Sequence, residues 1–89
     1  MDKINTEVKI TILFFAKARE LTGHKEYKIY VPREISSVDL LDKIVHTFKL
    51  ESIHNQIILS VNEEFVIPNS TLVLTEKDKI AVIPPLSGA

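Results

Sequence analysis

Ser36-Ser37-Val38-Asp39-Leu40-Leu41-Asp42-Lys43-Ile44-Val45-His46-Thr47-Phe48 is the stretch that decides the fold. Ser36 offers a hydroxyl cap and Asp39 a carboxylate three residues on, which together mark a helix start. Val38, Leu41, Ile44, Val45 and Phe48 then recur at helical spacing as one apolar stripe, while Asp39, Asp42, Lys43 and His46 fall on the wet side. This is the one central helix of the chain, and what flanks it sets the architecture.

On its N-terminal side, Val8, Ile10, Ile12 and Phe14 alternate with Lys9 and Thr11, the pattern of a half-buried strand. Ala16 to Gly23 reads as a short helical turn stopped by the glycine. Tyr27, Ile29 and Val31 share one face of a second strand, which Pro32 ends. On the C-terminal side, Gln56 to Val61 makes a third strand through Ile57, Leu59 and Val61. Short strand pieces, Phe65 to Ile67 and Leu72 to Leu74, lie around the turn Pro68-Asn69-Ser70, and Lys79 to Ile83 is the last strand after the turn Glu76-Lys77-Asp78. Strands, one helix and strands again in under ninety residues predict an α+β fold of the β-grasp, or ubiquitin-like, kind: a mixed sheet packed on one main helix. A doubly wound fold would need more helices. No repeat, low-complexity segment or linker interrupts the chain, so residues 1–89 read as one domain, with 84–89 as an extended tail.

The composition, 45% hydrophobic and 26% charged with a net charge of −1, is that of a globular protein and lacks the basic balance of a nucleic-acid binder. No apolar run approaches the ~18 residues that span a bilayer. The opening Met1-Asp2-Lys3-Ile4-Asn5-Thr6-Glu7 has no signal-peptide core, so a cytosolic protein is expected and the Asn69-Ser70-Thr71 sequon is expected to be silent. There is no cysteine. Disulfides, thiolate metal sites and a side-chain persulfide are therefore excluded.

Side chains offer little to catalysis. His24, His46 and His54 lack metal-ligand spacing, and His46 four residues after Asp42 reads as a surface pair on the helix. Glu63 and Glu64 are adjacent in an extended segment, so they point to opposite faces and fit a hairpin tip better than an acid–base pair. Two glycines, Gly23 and Gly88, cannot make a phosphate cradle. More informative is the outward parity of Leu13, Phe15, Ile58 and Ile83, which with Phe65 predicts an apolar patch on the sheet face away from the helix. Scattered exposed apolar residues, or cover by loops, are the plain alternatives. Beside that patch the chain leaves the last strand as Pro84-Pro85-Leu86-Ser87-Gly88-Ala89. Two prolines fix φ near about −65° and lack N–H donors, which predicts a stiff extended exit rather than another interior strand. At about 3.3 Å per residue it would reach roughly 20 Å, ending in two small residues suited to a narrow space.

These segments resemble a known family. Ile12-Leu13-Phe14-Phe15-Ala16-Lys17 followed by Arg19-Glu20-Leu21-Thr22-Gly23, then Ser60-Val61-Asn62-Glu63, then Ile80 to Gly88 with its Pro84-Pro85, are similar to the small subunit of molybdopterin synthase, the MoaD family of ubiquitin-like sulfur carriers. The likeness runs from about Val8 to the end. It implies that an activating enzyme consumes ATP to adenylate the carboxylate after Gly88 and Ala89, and that sulfur then makes it a thiocarboxylate. It further implies that Pro84, Pro85, Leu86 and Ser87 enter the large subunit, where the sulfur passes to a pterin precursor. Phe15, Phe65 and Ile83 match the positions where family members dock, on the large subunit in a heterotetramer of two small and two large subunits and, in alternation, on the activating enzyme. No permanently bound cofactor, metal, nucleic acid or membrane is implied, and the catalytic side chains would belong to the large subunit.

The residues agree with such a scheme. A free α-carboxylate with a pKa of about 3.5 is anionic and a poor electrophile, so it needs a leaving group. In a chain without cysteine, the terminal carbonyl carbon is the evident place to load sulfur. One departure stands out: the family ends Gly-Gly, and this chain Gly88-Ala89. A methyl beside the reacting carbonyl in a tight tunnel costs about 1–3 kcal/mol, which predicts slower loading. An altered last residue, a natural terminus of reduced activity and a chain cut at this point all stay open. Two other readings also stay open: a related β-grasp carrier serving thiamine synthesis, tRNA thiolation or protein conjugation, and a non-catalytic β-grasp binding module.

Overall fold

The structure, a computed structural model, describes residues 7–84. β1 (Glu7–Phe14), α1 (Ala16–Thr22), β2 (Glu26–Pro32), β3 (Glu34–Ser36), α2 (Ser37–Phe48), a 3-10 segment (Glu51–Gln56), β4 (Ile58–Val61), β5 (Glu64–Phe65), β6 (Thr71–Val73) and β7 (Lys79–Ile83) follow in order. Five strands form one sheet in the order β2-β1-β7-β4-β5, and β3 pairs with β6 in a separate ribbon. Among the described residues only β1 and β7 run parallel, with Ile12 beside Ile80 and Phe14 beside Val82. This is the mixed β-grasp sheet with its main helix, as the sequence predicts.

Alternation in β1 places Val8, Ile10, Ile12 and Phe14 inside, where they meet Val31, Leu59, Ile80 and Val82 and the buried residues of α2. Gly23 caps α1 at φ 75, a left-handed conformation that glycine adopts without a Cβ clash. Ser36 caps α2 as expected, its Oγ accepting the Asp39 N–H at 3.0 Å.

The helix stripe differs from the sequence reading. Leu40, fully buried, sits at the centre of the contact with Ser37, Ile44 and Val45, whereas Val38 is 47% exposed and Leu41 and Phe48 are half-buried. At 3.6 residues per turn, Ser37, Leu40 and Ile44 share a line, and the serine hides this line from a search for apolar residues. Ser37 is buried because the backbone docks there: its N–H donates to the Ser70 carbonyl at 2.8 Å, and its Oγ accepts the Ser70 N–H at 3.1 Å.

Four further differences are local. Gln56 belongs to the 3-10 segment rather than to a strand, and β4 starts at Ile58. The pieces around Pro68 do not pair with each other: β5 pairs with β4, and β6 with β3, a strand that three residues are too few to signal. Asp42 pairs with His54, whose Nε2 lies 3.3 Å from its Oδ1, and not with His46. Pro84, counted with the exit in the sequence reading, is buried, so the body extends through it.

The rotated stripe has a direct consequence for stability. Leu40→Ala is expected to cost about 2–5 kcal/mol through its cavity, and Val38→Ala below about 1 kcal/mol. Urea unfolding of the two variants measures this, and equal losses would contradict the helix orientation.

Candidate docking face

The sheet face turned away from α2 is set by register. Leu13 of β1 stands beside Ala81 of β7, Ala81 opposite Ser60 of β4, and Ser60 opposite Phe65 of β5, so one row crosses four strands. Ile83 lies opposite Ile58 in the next row. There the chain continues past Phe14 in extended form, and the Phe15 N–H donates to the Val82 carbonyl at 3.3 Å, which keeps Phe15 alongside β7. The outward parity read from the sequence therefore brings Leu13, Phe15, Ile58, Ile83 and Phe65 to one side. Phe15 is 47%, Ile58 48% and Phe65 73% exposed, while Leu13 and Ile83 are half-buried. Of the predicted docking residues, Phe15 and Ile83 are neighbours and Phe65 stands at the sheet edge on the adjoining row. Pro85, Leu86, Ser87, Gly88 and Ala89, the predicted exit and its reacting end, lie outside the described residues.

Parity also locates what the sequence reading passed over. Leu13, Phe15, Ser60, Lys79 and Ala81 line a concavity of about 320 Å³ in the middle of this face, with Glu63 on its hairpin side. Counting Ser60 and Lys79 at the same alternation as Ile58 and Ile83 would have found them, but a polar residue carries no signal in a search for an apolar patch. A second, smaller hollow of about 230 Å³ lies between α2 and the 66–69 segment and includes Val38, Ile58 and Pro68.

The hairpin that presents Phe65 is held by side chains. Asn62 and Glu63 take left-handed conformations, φ 52 and φ 75, as a tight two-residue hairpin requires. Asn62 closes it: its Nδ2 donates to Asp78 Oδ1 at 2.8 Å, its Oδ1 accepts the Lys79 N–H at 3.0 Å, and its own N–H donates to the Lys79 carbonyl at 2.9 Å. Asp78 Oδ2 in turn accepts the Thr75 N–H at 2.8 Å. Glu63 thus sits in the turn and Glu64 opens β5, the hairpin-tip arrangement that their adjacency predicts. His24 packs edge-on against Tyr27, with ring centroids 4.9 Å apart, and His54 is the partner of Asp42, so the histidines remain separate. Among the described residues no three of His, Cys, Asp or Glu converge, and no helix is long and apolar enough to cross a membrane.

The sequence and its β-grasp architecture match known proteins. A model of the ThiS family matches residues 12–88. The molybdopterin synthase sulfur carrier subunit of Drosophila ananassae is 46% identical over 82 residues, 91% of this chain and 91% of the relative. In three dimensions, small archaeal modifier protein 1 of Haloferax volcanii superposes with a TM-score of 0.72 at 22% identity, covering 89% of this chain and 99% of its own. One chain of the complex of subunits 1 and 2 of the molybdopterin-converting factor from Helicobacter pylori matches with a TM-score of 0.65 at 17% identity, covering 92% of this chain and 100% of its own. At these identities the two structures speak for the fold. The chain belongs to the ThiS family, with molybdopterin synthase sulfur carrier subunits among its relatives, and the resemblance drawn from its FFA opening and its Pro-Pro ending is borne out.

The Asn62 clamp gives a measurable expectation. Asn62→Ala removes its side-chain hydrogen bonds and leaves a Cβ residue at positive φ, for a loss of about 2–3 kcal/mol in urea unfolding. A loss within about 0.5 kcal/mol would show that the clamp does not hold the hairpin.

Proposed function

We propose that this chain is the sulfur carrier of a molybdopterin synthase, working in the cytosol and acting through its last carboxylate rather than through any side chain. The observation that carries the reading is the 46% identity to a molybdopterin synthase sulfur carrier subunit across nine-tenths of both chains. The absence of cysteine supports it, since sulfur then needs an acyl carbon as its carrier.

In this reading an activating enzyme attacks ATP with the carboxylate oxygen of Ala89, forming an acyl adenylate and releasing pyrophosphate. A sulfur donor then displaces AMP and leaves a thiocarboxylate. The loaded end, with Pro85, Leu86, Ser87 and Gly88 leading to it, enters the active site of the large subunit and yields its sulfur to the pterin precursor. Two rounds supply the two sulfurs of a dithiolene. Phe15, Phe65 and Ile83 form the docking surface, used in turn by the large subunit in a heterotetramer and by the activating enzyme. The same apolar residues cannot be buried under two partners at once, so loading and delivery alternate. Support comes from the H. pylori protein of the same fold, whose structure is a complex of subunits 1 and 2.

Two experiments check this reading. Intact mass after incubation with ATP, activating enzyme and a sulfur donor is expected to rise by the exchange of one oxygen for sulfur, more slowly for the chain ending in Ala89 than for Ala89→Gly. A residue appended after Ala89 is expected to block the gain. No gain in either form would favour a non-catalytic binding module. For the docking surface, Phe15→Asp is expected to abolish association with the large subunit in a binding assay while leaving the unfolding midpoint within a few degrees, because the ring is half exposed. Unchanged association would remove Phe15 from the interface.

A further inference from the structure

The concavity in the middle of the docking face has a polar floor, which an interface held by apolar contact alone does not need. Ser60 is only 4% exposed, yet its hydroxyl makes no hydrogen bond among the described residues. No buried side-chain oxygen or nitrogen among the described residues lacks a partner, so the Ser60 hydroxyl still meets solvent in the hollow. A protein that closes the hollow must replace that water with an acceptor or leave the hydroxyl unpaired at a cost. Ser60 faces the hollow beside Ala81, its cross-strand partner.

Charge points to what arrives. Lys79 lines the same hollow two residues before Ala81 on the same strand, and forms no ion pair among the described residues. Its row continues through Thr11, which it neighbours on one side, to Lys28 on the other, so two ammonium groups border the apolar rows. Lys28 also lacks an ion pair among the described residues. Glu63, on the hairpin side of the hollow, pairs with neither lysine. Its carboxylate repels a second one, so an incoming anion is directed to the Lys79 side. Leu13 and Phe15 wall the hollow, and an ion pair closed off there is screened less than one in open water.

We infer that this hollow is a specificity pocket for an acidic side chain, an aspartate or glutamate, on the protein that docks against this face. One carboxylate oxygen accepts the Ser60 hydroxyl proton, and the ammonium of Lys79 pairs with the carboxylate. The rings and methyls around them exclude water. The inference rests on the sulfur-carrier reading, which supplies the large subunit of molybdopterin synthase as the partner. It adds a charge requirement that the apolar residues do not make: this carrier selects a partner with a carboxylate opposite Lys79.

The test is equilibrium binding of the full chain to the large subunit of molybdopterin synthase at low and at high salt, with circular dichroism of each variant as the check on folding. Lys79→Glu is expected to weaken binding by about tenfold or more at low salt, and Lys79→Gln by less, with a flatter salt dependence. Ser60→Ala is expected to lose roughly three- to tenfold with the salt dependence retained. Reversing the facing acid on the partner to lysine is expected to restore binding of Lys79→Glu. If Phe15→Asp abolishes binding while Lys79→Glu and Ser60→Ala stay within about twofold of the unaltered chain, the pocket is overturned and the carrier reading stands. A loss with Lys79→Glu alone overturns the seating on Ser60, because the charge then acts from the surface. If the unaltered chain does not bind the large subunit at all, the carrier reading fails and this inference with it.

Discussion

Everything in this molecule hangs on the parallel pairing of its first and last strands. Ile12 beside Ile80 and Phe14 beside Val82 bring together residues from opposite ends of the chain, and all four side chains are buried. A parallel pair cannot be joined by a tight turn, so a crossover must carry the chain from one strand to the other. α2 lies on that crossover and covers the pair with Leu40, Ile44 and Val45. Once β1 and β7 are adjacent, the other strands of the five-stranded sheet have places only outside them, β2 against β1 and β4, followed by β5, against β7.

The same pairing makes the outer face. Strand alternation that buries Ile80 and Val82 turns Lys79, Ala81 and Ile83 the other way, and the register sets them beside Thr11, Leu13 and Phe15. A face built at the junction of the chain's two ends also lies beside the point where the last strand leaves the body. In the sulfur-carrier function proposed above, this geometry lets the surface that a partner holds and the strand from which the chain leaves be one rigid element. The Asn62 clamp adds to it by bonding the β4–β5 turn to the start of β7, which fixes the hairpin carrying Phe65 to the same strand.

The face is not uniform. Its apolar rows adjoin a row with Lys28 and Lys79, and within them the unbonded hydroxyl of Ser60 faces a hollow. Apolar area gives an interface its affinity without distinguishing one apolar partner from another. Polar groups that must be matched provide the distinction, since leaving them unmatched on binding is costly.

Alternation of period two and one amphipathic helix were readable in the sequence, and they determined the strand faces, the main helix with its Ser36 cap, and the outward set Leu13, Phe15, Ile58 and Ile83. These are local properties, fixed by backbone geometry within a few residues. Tertiary structure alone decided the rest. The helix settled with Leu40 inward because Ser37 docks its backbone against Ser70, a contact between residues far apart in the chain. β3 is a strand because it pairs with β6, three residues apiece; the piece at Leu72 to Leu74 was readable as β6, but β3 has no pattern long enough to be seen alone. Ser60, Lys79 and Phe15 became walls and floor of one hollow only when β1, β7 and β4 came into register. Register depends on which strands meet, and that is a property of the whole packed core rather than of any segment.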